Sequence, residues 1–340
     1  MRKVINVLLI IILFGCGEAP EKEGSANHYA TEIIIKGKAQ GTTYTIKYLA
    51  ETYEEGLKEK FDSVLHAIDM SVSTYVPTSK ISRLNEGDTV KVDQLFLAVY
   101  NLSKDIHNQT DGAFDPTMGP LIKAWGFDYS EPQKMDSILV KSLLSNIGFD
   151  QFVLQSDTIY AKQELARINF NAVAQGYSVD VMKKLLDERG FDNYYIELGG
   201  ELIVKGHNKF TEDWIIGIDR PDGENFERNL AQRVKLKNSA MATSGNYRKF
   251  YELDGNRYSH TLDPKTGYPA ENNLLSATVI ANDGGTADAL ATAFMVMGVE
   301  KTKVFLTKNP SIKAYLIMDK KGEGFKTYCS PSLENQLLKD

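Results

Sequence analysis

One strand, turn and helix segment constrains the fold more than any other part of the chain. Polar and apolar residues alternate from Leu274 to Ala281, and this alternation predicts a β-strand with two different faces. Gly284 and Gly285 follow, and the apolar run after them predicts a helix with Thr286 as its N-cap and Gly298 just past its end. We expect the rest of the chain to be organised around this unit.

The start of this helix carries the pattern of a cation and phosphate site. Asp288 and Thr292 are four residues apart, so their side chains share one face of the helix. Unpaired N–H groups and the helix dipole attract anions to a helix N-terminus. A carboxylate and a hydroxyl beside such an N-terminus suit a hard cation that bridges to a phosphate.

Two other turns have compositions that suit a ligand. Residues 37–42 join expected strands at 33–36 and 43–48, and their glycines fit either a close backbone approach to a ligand or a simple hairpin. Residues 171–177 form a small-residue turn that leads into a helix ending at Gly190. This turn resembles a phosphate-binding arrangement but lacks the spacing of a P-loop.

Helical spacing of apolar residues predicts helices at 52–70 and after Asp93, which is placed to cap the second one. Short strands are expected elsewhere, among them 166–170. Because strands and helices alternate irregularly, an α+β fold is favoured over a doubly wound parallel sheet.

Tyr75 lies in a hydroxyl-rich loop, where its ring is equally suited to stack on a planar ligand or to anchor the loop to the core.

Residues 1–15 have the composition of an export signal. Arg2 and Lys3 precede an apolar run that is too short to span a bilayer, and a small residue precedes Cys16. The tetrapeptide that ends at Cys16 resembles a bacterial lipobox, in which the cysteine becomes the lipidated first residue. Residues 16–30 are then a flexible tether. An uncleaved anchor and a plain secretory signal are the alternatives.

Charge and cysteine content narrow the functional classes. The formal net charge of −6 and the lack of a basic run argue against a nucleic-acid partner. Cys16 and Cys329 are the two cysteines of the 340-residue chain, so no intrachain disulfide is possible once Cys16 is processed, and a hydrophobic core must supply stability. Cys329 has no histidine near it in sequence, which favours a packing role.

Several blocks of the chain, taken in order, resemble the ApbE family of FAD:protein FMN transferases. The blocks that carry the resemblance are 73–85, 112–119 with 125–127, 169–176, 197–200, 242–248, 258–267 with Pro269, and 287–292. The resemblance implies that residues 31–340 form a single α+β catalytic unit of the T-fold-like type, either undivided or in two subdomains.

The resemblance also implies a reaction and its partners. The enzyme would cleave the pyrophosphate of FAD, release AMP and attach FMN to a threonine hydroxyl of an acceptor protein. Acceptors in the family are subunits of membrane electron-transport complexes, such as sodium-pumping quinone reductases and Rnf-type complexes. With a lipid on Cys16, the enzyme would be anchored to a membrane and would face the periplasm.

By the same resemblance, Mg²⁺ would be bound by Asp288, Thr292 and the backbone carbonyl of Ala172, with phosphate oxygens and water as its other ligands. His260 would be the general base for the acceptor threonine, because imidazole titrates near neutral pH. A structural role for a histidine in a strand is the alternative.

The resemblance further implies a set of FAD contacts. The positions concerned are Gln40, Tyr75, Ala113, Phe114, Asp115, Asn169, Gln175 and Ala270. Three of them depart from the family pattern: Gln40 replaces a frequent Met, Asn169 a common Asp, and Gln175 a Lys or Glu. The departures at Asn169 and Gln175 remove charge from the nucleotide pocket.

Two other functions would use the same residues. With water as the acceptor, the protein would be a Mg²⁺-dependent FAD pyrophosphatase that yields FMN and AMP. Without catalysis, it would be a lipid-anchored flavin-binding protein. The presence of Asp288, Thr292 and His260 together favours an enzyme.

Overall fold

The computed structural model describes residues 31–127, 130–221, 229–246, 250–253, 256–259, 261–320 and 324–339. The α-helices in these ranges are α1 (Leu57–Val72), α2 (Lys80–Asn85), α3 (Gln94–Gln109), α4 (Gly119–Ala124), α5 (Ser137–Leu144), α6 (Ala174–Asp187) and α7 (Gly284–Lys308). The strands are β1 (Thr31–Ala39), β2 (Thr42–Ala50), β3 (Val90–Lys91), β4 (Phe152–Gln155), β5 (Thr158–Ala161), β6 (Tyr194–Leu198), β7 (Glu201–Lys205), β8 (Trp214–Asp219), β9 (Leu230–Leu236), β10 (Ser239–Gly245), β11 (Phe250–Leu253), β12 (Asn256–Ser259), β13 (Leu274–Ala281), β14 (Lys313–Asp319) and β15 (Phe325–Cys329).

Eight of these strands form one sheet in the order β1-β2-β6-β7-β10-β13-β14-β15, and all neighbours are antiparallel. The others form a three-stranded sheet, β3-β5-β4, and two ribbons, β8-β9 and β11-β12. Helix α6 packs against β6 and β7, and α7 packs against β10 and β13. The predicted α+β class is confirmed, because the large sheet is antiparallel and its helices are interspersed irregularly.

The large sheet is covered on both faces. Along β7, Ile203 belongs to the core cluster that contains the helices, whereas Leu202 and Val204 belong to a second cluster. This second cluster includes Trp214 of β8 and Val234 of β9, so the β8-β9 ribbon covers the face opposite α6 and α7. The two faces that the sequence predicts for β13 are therefore both buried, one under α7 and one in the second cluster.

A two-residue turn at Gln40 and Gly41 joins β1 to β2. Ala39 pairs with Thr42, and the φ angles of the turn residues are 51° and 73°. Positive φ at both central positions is the geometry of a type I′ hairpin turn, which glycine adopts without strain. Of the two interpretations of residues 37–42, the simple hairpin is the one found.

The strand predicted at 166–170 is wrong, because its backbone pairs with a side chain. Asn85, at the end of α2, accepts the N–H of Ile168 on Oδ1 and donates from Nδ2 to the Ile168 carbonyl oxygen, both at 2.8 Å. The N–H of Asn169 then donates to the carbonyl oxygen of Pro116 at 2.7 Å. The segment is buried, as its apolar residues suggest, but it is not a strand of any sheet.

Helix α7 begins earlier than predicted and continues further. Its N-cap is Asp283, whose side chain accepts the N–H of Thr286 at 2.8 Å, so the prediction of Thr286 as the cap is wrong by three residues. At Gly298 the backbone is non-helical, with φ 69° and ψ 178°. A first helical part therefore ends where predicted, and a second part continues to Lys308.

The predicted signal segment, the tether and Cys16 lie outside the residues that the structure describes. Within the described ranges, no helix combines the length and the hydropathy needed to cross a bilayer. The division of the chain into residues 1–15, 16–30 and 31–340 stays a prediction.

We expect Asn85→Ala to lower the free energy of unfolding by about 1–3 kcal/mol, because both backbone groups of the buried Ile168 would lose their partner. Urea denaturation measures this change. Asn101→Ala, at an exposed position of α3, is the matched control and should change the value by less than about 0.5 kcal/mol. Equal stability of the two variants would show that Asn85 does not brace the segment.

Candidate active site

A cavity of about 1760 Å³ opens where the ends of β6, β7 and β10 meet the start of α6 and the face of α7 that carries Asp288 and Thr292. Many residues at the predicted ligand positions line it, although they come from widely separated parts of the chain. They are Tyr75, Ala113, Phe114, Asp115, Asn169, Ala172, Gln175, Asp288 and Thr292. The fold thus brings the predicted cation ligands and most of the predicted FAD contacts to one place.

The first turns of α6 and α7 touch at two glycines. A side chain on Gly176 would collide with the carbonyl oxygen of Gly284, and a side chain on Gly284 would collide with that of Gly176. Only glycine lets two backbones approach so closely. The N–H of Gly176 also donates to Oδ2 of Asp288 at 3.0 Å, so the helix contact orients this carboxylate.

Asp180 of α6 joins the two helices by hydrogen bonds. Its Oδ1 accepts the N–H of Gly284 at 2.7 Å, and its Oδ2 accepts the N–H of Gly285 at 2.9 Å. The first N–H groups of a helix have no partner inside it, so Asp180 satisfies two groups of α7 that would otherwise be orphaned. Burial raises the pKa of Asp180 to about 7, although the two N–H groups favour its ionised form.

Asp288 and Thr292 each have a partner that limits their orientation. Asp288 is 6% exposed, and burial raises its pKa to about 7, an effect that the Gly176 N–H partly offsets. Thr292 Oγ1 lies 3.1 Å from Oγ of Ser244 on β10, with which it shares a hydrogen bond. The carboxylate and the hydroxyl therefore reach the cavity from one helix face, as their spacing predicts.

Glu201 is a site residue that the sequence analysis missed. It is the first residue of β7, lines the cavity and is 8% exposed. Its Oε2 has no hydrogen-bond partner in the part of the chain that the structure describes. Burial raises its pKa well above the ordinary value, and the charge of Asp288 raises it further. A signal was present, because Glu201 opens the apolar run Leu202–Val204 and a charge in such a run needs a partner.

The oxygen donors fit a hard cation that is shared with a ligand. Among the described residues, no group of three or more His, Cys, Asp and Glu side chains could hold a metal. The Asp288 carboxylate, the Thr292 hydroxyl and the Ala172 carbonyl are the oxygen donors that Mg²⁺ prefers, and their residues line one cavity. Glu201 adds a second buried carboxylate, and buried negative charge needs a positive partner. These residues fit an ion that takes its remaining ligands from a phosphate and water.

Tyr75 presents its ring to the cavity. Its hydroxyl accepts a hydrogen bond from Nδ2 of Asn171 at 3.0 Å, and the residue is 64% exposed. The exposure excludes the alternative in which Tyr75 anchors its loop in the core. A ring whose hydroxyl is held while most of its surface is exposed can stack on a planar ligand.

Neighbouring loop residues are fixed by their own contacts. Phe114 is 2% exposed, so little more than its backbone is available to a ligand. The Asp115 carboxylate accepts hydrogen bonds from the N–H and the hydroxyl of Thr117, and burial raises its pKa. Oδ1 of Asn169 accepts the N–H of Asn171 at 2.8 Å. The conformation of these loops is therefore fixed by hydrogen bonds between the Asp115 and Asn169 side chains and nearby backbone N–H groups.

Three predicted residues are not among the described residues that line the cavity. Gln40 donates from Nε2 to the hydroxyl of Ser178 at 2.7 Å, which attaches the β1-β2 turn to α6. The N–H of Ala270 donates to the carbonyl oxygen of Thr261 at 2.9 Å. His260 lies outside the described residues, whereas Thr261, which follows it, lines the cavity.

Comparison with known proteins gives a consistent result. The model of the ApbE family matches residues 40–316. The FAD:protein FMN transferase of Escherichia coli strain K12 is 33% identical over 351 residues, which covers 98% of this chain and 97% of the relative. The FAD:protein FMN transferase of Vibrio cholerae is 32% identical, with 99% of each chain covered.

Solved structures agree with the sequence comparison. The flavin transferase ApbE from Vibrio cholerae has a TM-score of 0.80 at 31% identity, and the match covers 90% of this chain and 99% of that one. The apo form of the Pseudomonas stutzeri flavinyl transferase ApbE has a TM-score of 0.81 at 29% identity, covering 90% and 97%. The chain belongs to the ApbE family, and the resemblance seen in the sequence is confirmed.

The raised pKa of Asp180 predicts a pH-dependent stability difference between the protein and Asp180→Asn. Between about pH 4 and pH 7 the folded protein keeps the Asp180 proton that the unfolded chain has lost, so ionisation favours the unfolded chain increasingly as pH rises. The asparagine variant has no such group to ionise. Its free energy of unfolding should therefore rise relative to that of the parent up to about pH 7, and the difference should stay constant above pH 7.

Urea denaturation from pH 4.5 to pH 8 in the presence of a chelator measures this difference. Asp105→Asn, at an exposed position of α3, is the control and should follow the parent at every pH. Parallel profiles for the parent and Asp180→Asn would contradict the raised pKa.

Proposed function

We propose that this ApbE-family flavin transferase moves FMN from FAD to a threonine hydroxyl of an acceptor protein, with Mg²⁺ as its cofactor and AMP as the second product. The observation that carries the proposal is the placement of Asp288, Thr292 and Ala172 on one cavity at the contact of two helix N-termini. The names of the relatives support flavin transfer.

The cavity has the size and the lining for FAD and for part of an acceptor. Its volume of about 1760 Å³ exceeds the roughly 300–1,000 Å³ of a typical small-molecule site. Gln175 in the first turn of α6 lines it, together with Asp288 and Thr292 of α7, and a helix N-terminus attracts phosphate. It also extends along Ile34 and Lys36 of β1 and Ile215 of β8, which leaves room for a polypeptide segment beyond the nucleotide.

Phosphoryl transfer requires neutralised phosphate oxygens and a positioned nucleophile. Mg²⁺ held by Asp288, Thr292 and the Ala172 carbonyl would supply the positive charge. The Gly176 N–H and the Ser244 hydroxyl hold the first two side chains in place before a ligand enters. Such preorganised donors do not have to be rearranged during the reaction.

The chemical step joins the acceptor threonine to the FMN phosphate. The threonine oxygen forms a bond to the phosphorus of FMN, the bond from that phosphorus to the bridging oxygen breaks, and AMP leaves with this oxygen. His260 accepts the threonine proton, as the family resemblance implies, and its neighbour Thr261 lines the cavity. The ring of Tyr75 stacks on a planar part of FAD.

The location of the enzyme follows from residues 1–30. We propose that Cys16 carries a lipid, that residues 16–30 tether the catalytic unit to a membrane, and that this unit faces the periplasm. The lipobox-like sequence before Cys16 supports this location. An acceptor subunit of a quinone reductase or an Rnf-type complex would be reached from the same side of the membrane.

Asp288→Asn should lower FMN transfer by about 100-fold or more, because it removes the charge that holds the cation while keeping the side-chain shape. The assay incubates the protein with FAD, Mg²⁺ and an acceptor domain of a quinone reductase subunit, then measures covalent flavin fluorescence and released AMP. Asp105→Asn should retain full activity. Free FMN and AMP without labelled acceptor in the parent protein would identify a pyrophosphatase and contradict transfer.

His260→Ala should lower the transfer rate by about 100-fold or more and change FAD binding little, because it removes a base and not a binding group. Titration of flavin fluorescence in the presence of Mg²⁺ measures FAD affinity beside the transfer assay. His66→Ala, at an exposed position of α1, is the control. Undiminished transfer by His260→Ala would assign the base to another group, and a parent protein that binds FAD without turnover would be a flavin-binding protein only.

A further inference from the structure

Glu201 has no role in the mechanism above, yet its environment is unusual for a carboxylate. It is 8% exposed, and within the described ranges its buried Oε2 has no hydrogen-bond partner. Buried polar atoms are nearly always paired, and an unpaired buried charge is costly. A bound cation is the simplest explanation of this environment, because the described part of the chain supplies no partner for Oε2.

Successive side chains of β7 point to opposite faces of the sheet, and this alternation places Glu201 on the face that the helices cover. Leu202 and Val204 face the β8-β9 ribbon, whereas Ile203 faces the helices. Glu201 is two residues from Ile203 and therefore points to the same side. Helix α7 contacts β7 on that side, and Asp288 of α7 lines the same cavity as Glu201.

The backbone at Glu201 is held firmly. A turn at Gly199 and Gly200, both with positive φ, reverses the chain between β6 and β7. Oε1 of Glu197 accepts the N–H of Gly200 at 2.9 Å, and Leu198 pairs with Glu201 across the turn. A residue whose backbone is held by a strand pair and by an adjacent turn is suited to position a ligand, because little conformational entropy is lost on binding.

We propose that Glu201 binds the same divalent cation as Asp288, either directly or through one water molecule. Before FAD binds, Asp288 supplies one negative charge, and Thr292 and Ala172 supply neutral oxygens, so a doubly charged cation leaves one charge for a second carboxylate to balance. Glu201 is that carboxylate. The inference rests on the proposed magnesium site and adds to it a residue that neither the spacing of motifs nor the resemblance assigns.

The test uses Mn²⁺ as the probe, because electron paramagnetic resonance measures free Mn²⁺ directly. Mn²⁺ is titrated into the parent protein, Glu201→Gln, Asp288→Asn and Glu59→Gln, with and without FAD. The amount of Mn²⁺ that FAD binds in the absence of protein is measured separately and subtracted. Glu201→Gln should weaken Mn²⁺ binding about tenfold or more, whereas Glu59→Gln, exposed on α1, should bind as the parent does.

Thermal unfolding supplies a readout that a purely structural role would not give. Without a divalent cation, Glu201→Gln should melt at the same temperature as the parent or higher, because it removes a carboxylate that lines the same cavity as Asp288 and whose Oε2 has no hydrogen-bond partner among the described residues. With Mn²⁺, the variant should gain less in melting temperature than the parent. A lower melting temperature in both conditions would mean that Glu201 is structural and would overturn the inference.

The outcomes separate this inference from the proposed function. If the parent shows no Asp288-dependent Mn²⁺ binding, the proposed magnesium site itself fails. If the parent binds Mn²⁺, Asp288→Asn does not and Glu201→Gln binds with the parent's affinity, then only the role of Glu201 is overturned.

Discussion

The contact between the first turns of α6 and α7 is the constraint on which the rest of the site depends. Gly176 and Gly284 allow the two backbones to approach, and Asp180 fastens them by accepting two N–H groups of α7. The beginnings of both helices are thereby brought close to one cavity. The same contact orients Asp288 through the Gly176 N–H, so the packing of two helices also fixes a carboxylate that lines the cavity.

The large sheet supplies a rigid support for the polar groups at the cavity. Several of its strands end at the cavity, where Ser244 of β10 and Glu201 of β7 lie on the side of the sheet that carries α7. The β8-β9 ribbon covers the opposite face. Functional polar groups therefore stand at strand ends, while the strand centres form the core. A rigid layer covered on both sides holds these groups with little freedom to move, which favours prealigned oxygen donors over donors recruited by each ligand.

Features set by local spacing were predictable from the sequence, and features set by distant contacts were not. The shared face of Asp288 and Thr292 follows from helix periodicity, and the cap at Asp93 follows from its place before an apolar helix. The apolar pattern of 166–170 predicts a strand, because nothing local shows that the side chain of Asn85 pairs with its backbone. The hydrogen bond of Gln40 to Ser178 and the buried position of Glu201 are not predictable for the same reason, since their surroundings come from α6 and α7.

The break in α7 at Gly298 separates the part of the helix that bears Asp288 from the part that ends at the surface. Helices lose their terminal hydrogen bonds first, and this unwinding passes along the ladder of i to i−4 bonds. The non-helical backbone at Gly298 interrupts that ladder, so unwinding that starts near Lys308 is not passed along it to the first part of the helix. One glycine thus isolates the turn that bears Asp288 from unwinding at the other end of a long helix.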